Sequence, residues 1–206
     1  MNDQRKHIVT GQQPILTDQQ LVSCILRGEI RYFRVIMDRS ERLVAQIVFK
    51  MVASREDRKD ISQDIYLKAY NALGSFNFRS KLTTWIGQIA YNTCLNYIQK
   101  KKLLLIENHP DDREDAQTST YEGYGVQKEP EMLLSAKELS GILNEEVDKL
   151  PVIYRTLITL YHREELSYAE IGEITGLPDG TIKNYLFRAR KTLKQNLLSK
   201  YTKEEL

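Results

Sequence analysis

The chain has 206 residues, 41% of them hydrophobic, and a formal net charge of +2, and this length suits one large domain or two small ones with real cores. No stretch approaches the roughly 20 apolar residues that span a bilayer, and the N-terminus has no apolar secretion signal, so we expect a cytoplasmic protein without membrane insertion. Two cysteines cannot form a disulfide framework, and three scattered histidines do not suggest a metal site.

Signatures of an enzyme are also missing from the sequence. We find no glycine-rich phosphate loop, no nucleophile elbow and no paired-carboxylate site. We therefore assign no catalytic residue, metal or cofactor, and we do not expect an enzyme.

Charge is unevenly distributed along the chain. The net charge is +8 for residues 1–102, −9 for residues 103–148 and +3 for residues 149–206. Two basic blocks separated by an acidic one indicate two modules that approach a polyanion, joined by a segment that does not.

The first module has the periodicity of a helical bundle. Residues 1–16 are polar and aperiodic and are predicted to form a flexible tail. Thr17 or Asp18 can cap the first helix, and Gly28 can end it. The predicted helices cover about 18–27, 31–52, 57–73 and 82–102.

The rest of the chain is predicted to be an acidic linker followed by a second helical module. Residues 103–130 are acidic, polar and interrupted by proline and glycine, which is typical of a flexible linker. Helical periodicity resumes near Glu131, and another helix is expected from Pro151. Neither module has a strand pattern. The predicted fold is therefore all-α, with two small helical domains joined by a flexible acidic linker.

The last two helices form a helix-turn-helix pattern. Ser167 and Glu170 have the spacing of a capping box, which satisfies backbone donors at a helix start. Gly176 can end that helix at positive φ, and Pro178 suits the beginning of the next. The sequence therefore predicts a sharp corner between two helices.

The second of these helices has one apolar and one polar face. Ile182, Leu186 and Ala189 fall on the side expected to be buried. The opposite side carries basic, amide and aromatic residues that suit phosphates and base edges. A solvated helix at the end of a bundle is the alternative, but the cap, the corner and an exposed Phe187 favour DNA binding.

Two segments of the chain resemble a known family in the same order as in that family. Residues 60–102, DISQDIYLKAYNALGSFNFRSKLTTWIGQIAYNTCLNYIQKKK, resemble region 2 of bacterial sigma factors of the extracytoplasmic-function (ECF) group, and residues 150–194 resemble their region 4. The resemblance implies a region 2 domain over 17–102, a linker over 103–130 and a region 4 domain over 131–206.

The resemblance also implies a function and partners. Such a protein binds core RNA polymerase, reads the minus-thirty-five promoter element through region 4, and opens and captures the minus-ten element through region 2. The implied partners are promoter DNA, the largest-subunit clamp helices and flap region of the polymerase, and an anti-sigma factor. We expect the free protein to be a monomer.

The resemblance assigns polymerase binding to the third predicted helix. The residues concerned are Asp60, Ile61, Gln63, Asp64 and Ile65. The carboxylates of Asp60 and Asp64 form a negative stripe on an otherwise basic module, and such a stripe suits a basic protein partner better than DNA. Compensation of the helix dipole is the alternative, but it does not explain Asp64, which lies a full turn deeper.

The loop and helix that follow resemble the segment that captures an unstacked base of the minus-ten element. The candidate contacts are Asn77, Phe78, Arg79, Ser80, Lys81, Trp85, Gln88 and Asn92. Aromatic rings stack on a splayed base, amides and hydroxyls bond its edge, and cations hold the backbone. Phe76 is predicted to anchor the loop in the core instead.

In region 4 the resemblance assigns the polar face of the last helix to the minus-thirty-five element. The candidate contacts are Thr181, Lys183, Asn184, Phe187, Arg188 and Lys191. The family commonly has Arg where this chain has Lys183 and Tyr185. Because lysine lacks the guanidinium fork, Lys183 is expected to bind phosphate. Base reading is then expected to shift to Thr181, Asn184, Phe187 and Arg188.

A stand-alone helix-turn-helix regulator, which binds promoters without entering the polymerase, is the alternative function. Residues 167–194 alone do not exclude it, whereas such a regulator has no use for residues 60–102. A nucleic-acid enzyme would need a metal or nucleophile cluster that these residues do not supply.

Overall fold

The computed structural model describes residues 16–108 and 136–200, and every regular element in these two ranges is helical. The all-α prediction is confirmed. The predicted tail before residue 16, most of the predicted linker and the predicted helix start near residue 131 lie outside the described residues. Within the described ranges, no helix combines the length and the apolar character needed to cross a membrane.

Four helices form the first helical unit: α1 (Asp18–Leu26), α2 (Phe33–Met51), α3 (Arg55–Ala72) and α4 (Leu82–Asn108). Thr17 caps α1 in a capping box with Gln20. Helix α3 begins earlier than predicted because the Ser54 side chain accepts a hydrogen bond from the backbone of Asp57. Helix α4 is longer than predicted, so the acidic segment expected from residue 103 begins within a helix.

The core of the first helical unit comes from the apolar faces of all four helices. Its fully buried members include Leu21, Ile36, Ile47, Ile65, Leu73 and Ile86. Asp18 links three of the helices, because its carboxylate accepts from the backbone N–H of Leu82 and pairs with Arg39. This contact fixes the start of α4, and thereby the loop before it, against α1 and α2.

Four more helices form the second helical unit: α5 (Ala136–Asp148), α6 (Val152–His162), α7 (Tyr168–Thr175) and α8 (Asp179–Lys200). Its fully buried side chains include Leu157, Leu160, Ile171, Ile174, Ile182 and Leu186. Burial of this apolar stripe holds α7 against α8, since the 8 residues of α7 are too few to form a stable helix alone.

The two helical units pack directly on each other, α4 against α7 and α2 against α6. Gly87 of α4 allows the close approach, because a Cβ there would lie 3.1 Å from Ile174 of α7. Tyr91 of α4 is buried at the same contact, 7% exposed. The buried residues of both units therefore form one continuous apolar cluster.

Among the described residues, three ion pairs are seen across this contact, and all three have the same polarity. Arg42, Lys50 and Lys81 of the first unit pair with Glu164, Asp148 and Glu170 of the second. Arg155 of α6 adds hydrogen bonds from its guanidinium to the backbone carbonyls of Lys50 and Asp148. The basic first unit is thus covered, in part, by carboxylates of the second.

Candidate nucleic-acid interface

The corner predicted between α7 and α8 is present. Ser167 and Glu170 form the reciprocal capping box, and Gly176 ends α7 in the left-handed conformation at φ 74°. The carbonyl of Pro178 accepts hydrogen bonds from the backbone of Thr181 and Ile182, which begins α8. These local contacts therefore define where α7 ends and where α8 begins.

Helix α8 presents the two faces that its sequence predicts. Ile182, Leu186 and Ala189 are fully buried. The candidate reading residues Lys183, Asn184, Phe187, Arg188 and Lys191 are exposed, and Thr181 is half-buried. Phe187 is 66% exposed, which is unusual for a large apolar ring and indicates a contact surface.

Helix α3 presents only part of the surface predicted for polymerase binding. Asp60 and Gln63 are exposed and Asp64 is half-exposed. Ile61 and Ile65 are only 8% and 0% exposed. The side chains of the two isoleucines hold α3 on the core, so in this conformation the exposed part of the predicted surface consists of Asp60, Gln63 and Asp64.

The acidic residues of α3 differ in their surroundings. Asp64 forms an ion pair of 2.7 Å with Lys68 on the same helix. Asp57 instead accepts a hydrogen bond from the Tyr97 hydroxyl of α4. That bond, followed by one from Ser54, lowers the pKa of Asp57. Asp57 therefore joins two helices, whereas Asp60 and Asp64 face outward.

The loop before α4 is organised around aromatic rings. Phe76 is 6% exposed, as expected of an anchor, and its ring lies 5.1 Å from Trp85 and 4.7 Å from Phe78. Phe78 is 42% exposed and has φ 58°, a conformation that a bulky residue rarely adopts. The Asn77 side chain accepts from the backbone N–H of Arg79, which stabilises the turn.

The face of α4 that continues from this loop carries the predicted amides. Gln88 and Asn92 are exposed, as are Asn96 and Gln99, one and two turns further on. Trp85 is half-buried and packs against the core. The fold therefore brings the loop and the amide stripe onto one side of the first helical unit.

Lys81, the last residue of the loop, contacts the second helical unit. Its ammonium lies 2.8 Å from the Glu170 carboxylate. This ion pair, together with hydrogen bonds from Ser167, lowers the pKa of Glu170 to about 2. The same carboxylate thus caps α7 and binds the loop that was predicted to hold the minus-ten strand.

Sequence reasoning missed a cluster beside the polar face of α8. Tyr161 and Tyr168 stack with ring centroids 5.1 Å apart, and Arg190 and Lys183 lie over their outer faces. The tyrosines belong to α6 and α7, so periodicity along α8 does not reveal the contact. A pair of tyrosines separated by a short loop next to a basic helix was the only available signal.

Comparison with known protein families identifies both helical units. The model for sigma-70 region 2 matches residues 36–103, and the model for sigma-70 region 4 matches residues 140–193. The two regions occur in this order in a subunit class that gives RNA polymerase its promoter specificity, and the chain carries both.

Whole-chain relatives narrow the class. The ECF RNA polymerase sigma-E factor of Escherichia coli K12 is 36% identical over 182 residues, which is 86% of this chain and 93% of that protein. The ECF sigma factor SigW of Bacillus subtilis is 32% identical over 180 residues, 84% of this chain and 92% of that protein. The chain belongs to the ECF sigma factors of the sigma-70 family.

Solved structures agree with this fold. CnrH, in a complex with the cytosolic domain of CnrY, superimposes with a TM-score of 0.60 at 20% identity, covering 89% of this chain and 99% of that one. The sigma factor RpoE of Bartonella quintana, in a complex with the anti-sigma factor NepR, gives a TM-score of 0.58 at 20% identity, covering 84% and 97%.

Family membership establishes the general function. The protein is a non-enzymatic subunit of RNA polymerase that directs promoter-specific transcription initiation. The region 2 match distinguishes it from a stand-alone helix-turn-helix regulator, which was the alternative function.

Proposed function

We propose that the two helical units divide the promoter between them: residues 131–206 read the minus-thirty-five element and residues 17–102 open and capture the minus-ten element, with residues 103–130 as the linker. The observation that carries this proposal is that each unit exposes one surface whose chemistry suits DNA. The surface of the second unit is a rigid helix face, suited to a duplex. The surface of the first is an aromatic loop, suited to unstacked bases.

In the second unit, base reading belongs to the exposed centre of the α8 face. Asn184 and Arg188 can form paired hydrogen bonds with adenine and guanine, and Phe187 can contact a thymine methyl. Thr181 shares the base reading, whereas Lys183 and Lys191 lie beside these residues and hold the phosphate backbone. Their exposure in the structure supports this division.

In the first unit, Phe78 is the residue on which the captured base stacks. Its ring is exposed while the Asn77 turn and the Phe76 anchor fix the backbone beneath it. Arg79, Ser80 and Lys81 hold the flanking strand, and Trp85, Gln88 and Asn92 continue the track along α4. The Lys81 ammonium is paired with the Glu170 carboxylate, so this ion pair competes with binding of a strand phosphate by Lys81.

Polymerase binding belongs to Asp60, Gln63 and Asp64. They form the exposed acidic face of α3, which suits the clamp helices of the largest subunit. The second unit meets the flap region. Because one linker joins the two DNA-binding units, binding of the first promoter element raises the effective concentration of the second unit at its own element.

We also infer an anti-sigma factor as a partner of this protein. The protein is located in the cytoplasm and is a monomer when it is free. The support is that CnrH and RpoE of Bartonella quintana, which share its fold, were each solved in a complex, with the cytosolic domain of CnrY and with the anti-sigma factor NepR.

The division of labour is tested with two variants and matched controls. Transcript-start mapping after overexpression supplies the promoter. Arg188→Ala should weaken binding of the holoenzyme to that promoter by about 1–3 kcal/mol and leave association with core polymerase unchanged. Arg34→Ala, which removes an exposed arginine of α2, is its control.

Asp64→Ala should do the reverse and weaken association with core polymerase. Its control is Asp38→Ala, because Asp38 is also exposed and also paired with a basic residue one turn away. Unchanged promoter affinity in Arg188→Ala, or unchanged polymerase association in Asp64→Ala, would contradict the corresponding assignment.

A further inference from the structure

Two cations of α8 are held by aromatic rings of the neighbouring helices. Tyr161 near the end of α6 and Tyr168 at the start of α7 are stacked almost parallel, at an interplanar angle of 11°. The Arg190 guanidinium lies 5.4 Å from the ring centre of Tyr161, and the Lys183 ammonium lies 5.3 Å from that of Tyr168. We call these four residues the cation–tyrosine cluster.

The cluster lies along one edge of the polar face of α8. Lys183 and Arg190 are seven residues apart, so they project from the helix within about 20° of each other. Both are exposed. Phe187 lies between them on the same side of α8, so the cluster is directly beside the proposed reading residues.

Arg190 has a second contact that fixes its orientation. Its Nε donates to Nε2 of His162 at 3.2 Å. Burial, and then the charge of Arg190, lowers the pKa of His162. The imidazole therefore remains a neutral acceptor at neutral pH, and Arg190 is held on both sides without losing its charge.

The partners of these two cations differ from those of the three cations that form ion pairs across the contact between the units. Arg42, Lys50 and Lys81 are each positioned by a carboxylate, which neutralises them. In the described part of the chain, Lys183 and Arg190 are positioned by neutral rings and an imidazole. Their positive charge remains available for an anion.

Taken with the adjoining tyrosine hydroxyls, this geometry suits a phosphate group. Hydrogen bonding with the Tyr168 side chain raises the pKa of Tyr161. Hydroxyl, guanidinium and ammonium groups are the usual side-chain donors to DNA phosphates.

We propose that the cation–tyrosine cluster is a clamp for the phosphodiester backbone of duplex DNA, in which Tyr161 and Tyr168 are positioning residues for Arg190 and Lys183. The inference rests on the proposed reading of the minus-thirty-five element by α8 and adds a contact that carries no sequence information. It also explains why a lysine suits position 183, since a point charge over a ring binds phosphate without the fork that reads guanine.

The test is the salt dependence of promoter binding by the full-length protein in the holoenzyme. Each phosphate contact that is lost lowers the slope of log affinity against log salt by about 0.9. Arg190→Ala and Lys183→Ala should each lower the slope by about this amount. Preference for the promoter over a scrambled duplex should not change, because phosphates are the same in both.

The tyrosines are tested with conservative and disruptive variants. Tyr168→Phe keeps the ring and should retain most of the slope, whereas Tyr168→Leu should lower it, and Tyr161 should behave in the same way. Arg34→Ala, far along α2, should leave the slope unchanged. If a leucine variant fails to fold, the exposed cations Lys183 and Arg190 still provide the test.

The outcomes separate this inference from the proposed function. If Arg188→Ala does not reduce promoter preference, the assignment of α8 as the reader fails. If Arg188→Ala reduces it but Arg190→Ala and Lys183→Ala leave the slope unchanged, only the clamp is overturned. If Tyr168→Phe lowers the slope as much as Tyr168→Leu, the ring is not what positions Lys183.

Discussion

The ion pair between Lys81 and Glu170 joins the proposed base-capturing loop to the helix-turn-helix, so its removal should weaken the contact between the two helical units. A double-mutant cycle with Lys81→Met and Glu170→Gln isolates the pair. Glutamine at position 170 can still accept the hydrogen bond from the Ser167 backbone, so the capping box is kept. The cycle therefore reports the ion pair and not the loss of a helix cap.

The expected coupling is small, for reasons visible in the geometry. The two side chains are 2.8 Å apart, but Lys81 is 74% exposed and Glu170 is 21% exposed. Water and salt screen such a pair, so we expect a coupling free energy of about 0.2–1 kcal/mol. The large drop in the pKa of Glu170 includes the Ser167 hydrogen bonds, so it overstates the ion pair alone.

The assay is urea unfolding of the four proteins at low and high salt, with hydrogen exchange of the α4 and α7 amides as a second measurement. The pH dependence has a defined sign. The pKa of Glu170 is about 2 in the folded protein and near 4.5 when unfolded. The contribution of the carboxylate is therefore complete above about pH 4.5 and is lost as the pH falls towards 2.

Glu170→Gln should remove the part of the loss of stability at low pH that comes from the Glu170 carboxylate. The pair Arg34 and Asp38, which lies within one helix, is the control and should not alter exchange at the contact between units. A coupling within error of zero at low salt, with unchanged exchange in α4 and α7, would refute the argument that this pair helps hold the units together.

Three further predictions concern stability and reactivity. Gly176→Ala should lower the free energy of unfolding by about 1–2 kcal/mol, because the backbone φ of 74° at this position is strained for alanine. Gly141→Ala, in the open interior of α5, should raise the free energy of unfolding by up to about 1 kcal/mol. Chemical unfolding that gave both changes the same sign would contradict this. Ile174→Ala, at a fully buried position, should lower the free energy of unfolding by about 2–5 kcal/mol. Phe187→Ala should change the free energy of unfolding by no more than about 0.5 kcal/mol. Equal losses of stability in urea unfolding would contradict this prediction. Burial raises the pKa of Cys94 to about 12, so a thiol reagent should modify it only after unfolding, as peptide mass spectrometry can check.

Local structure followed closely from the sequence. The capping residues of α7 and the positive φ of Gly176 were readable because a cap or a left-handed turn depends on residues within a few positions of each other. The two faces of α8 were readable for a similar reason, since a period of 3.6 residues assigns each side chain to a face.

Errors and omissions arose where a long-range contact decides the outcome. The family pattern assigned Ile61 and Ile65 to polymerase binding, and it did not show that the packing of α3 buries both side chains in this conformation. The stack of Tyr161 on Tyr168 was missed because its partners come from three helices. The pairing of Lys81 with Glu170 spans 89 positions, and no periodic pattern links residues so far apart.

The sequence by itself therefore determined the helices, their caps, the faces of α8 and, through two ordered motifs, the family and its general function. Only the tertiary structure decided that the two helical units share a core and that carboxylates of the second neutralise cations of the first. It also decided which cations remain available for DNA. The physical reason is that caps and periodicity depend on neighbours in the chain, whereas the charge and exposure of a side chain depend on what the fold packs against it.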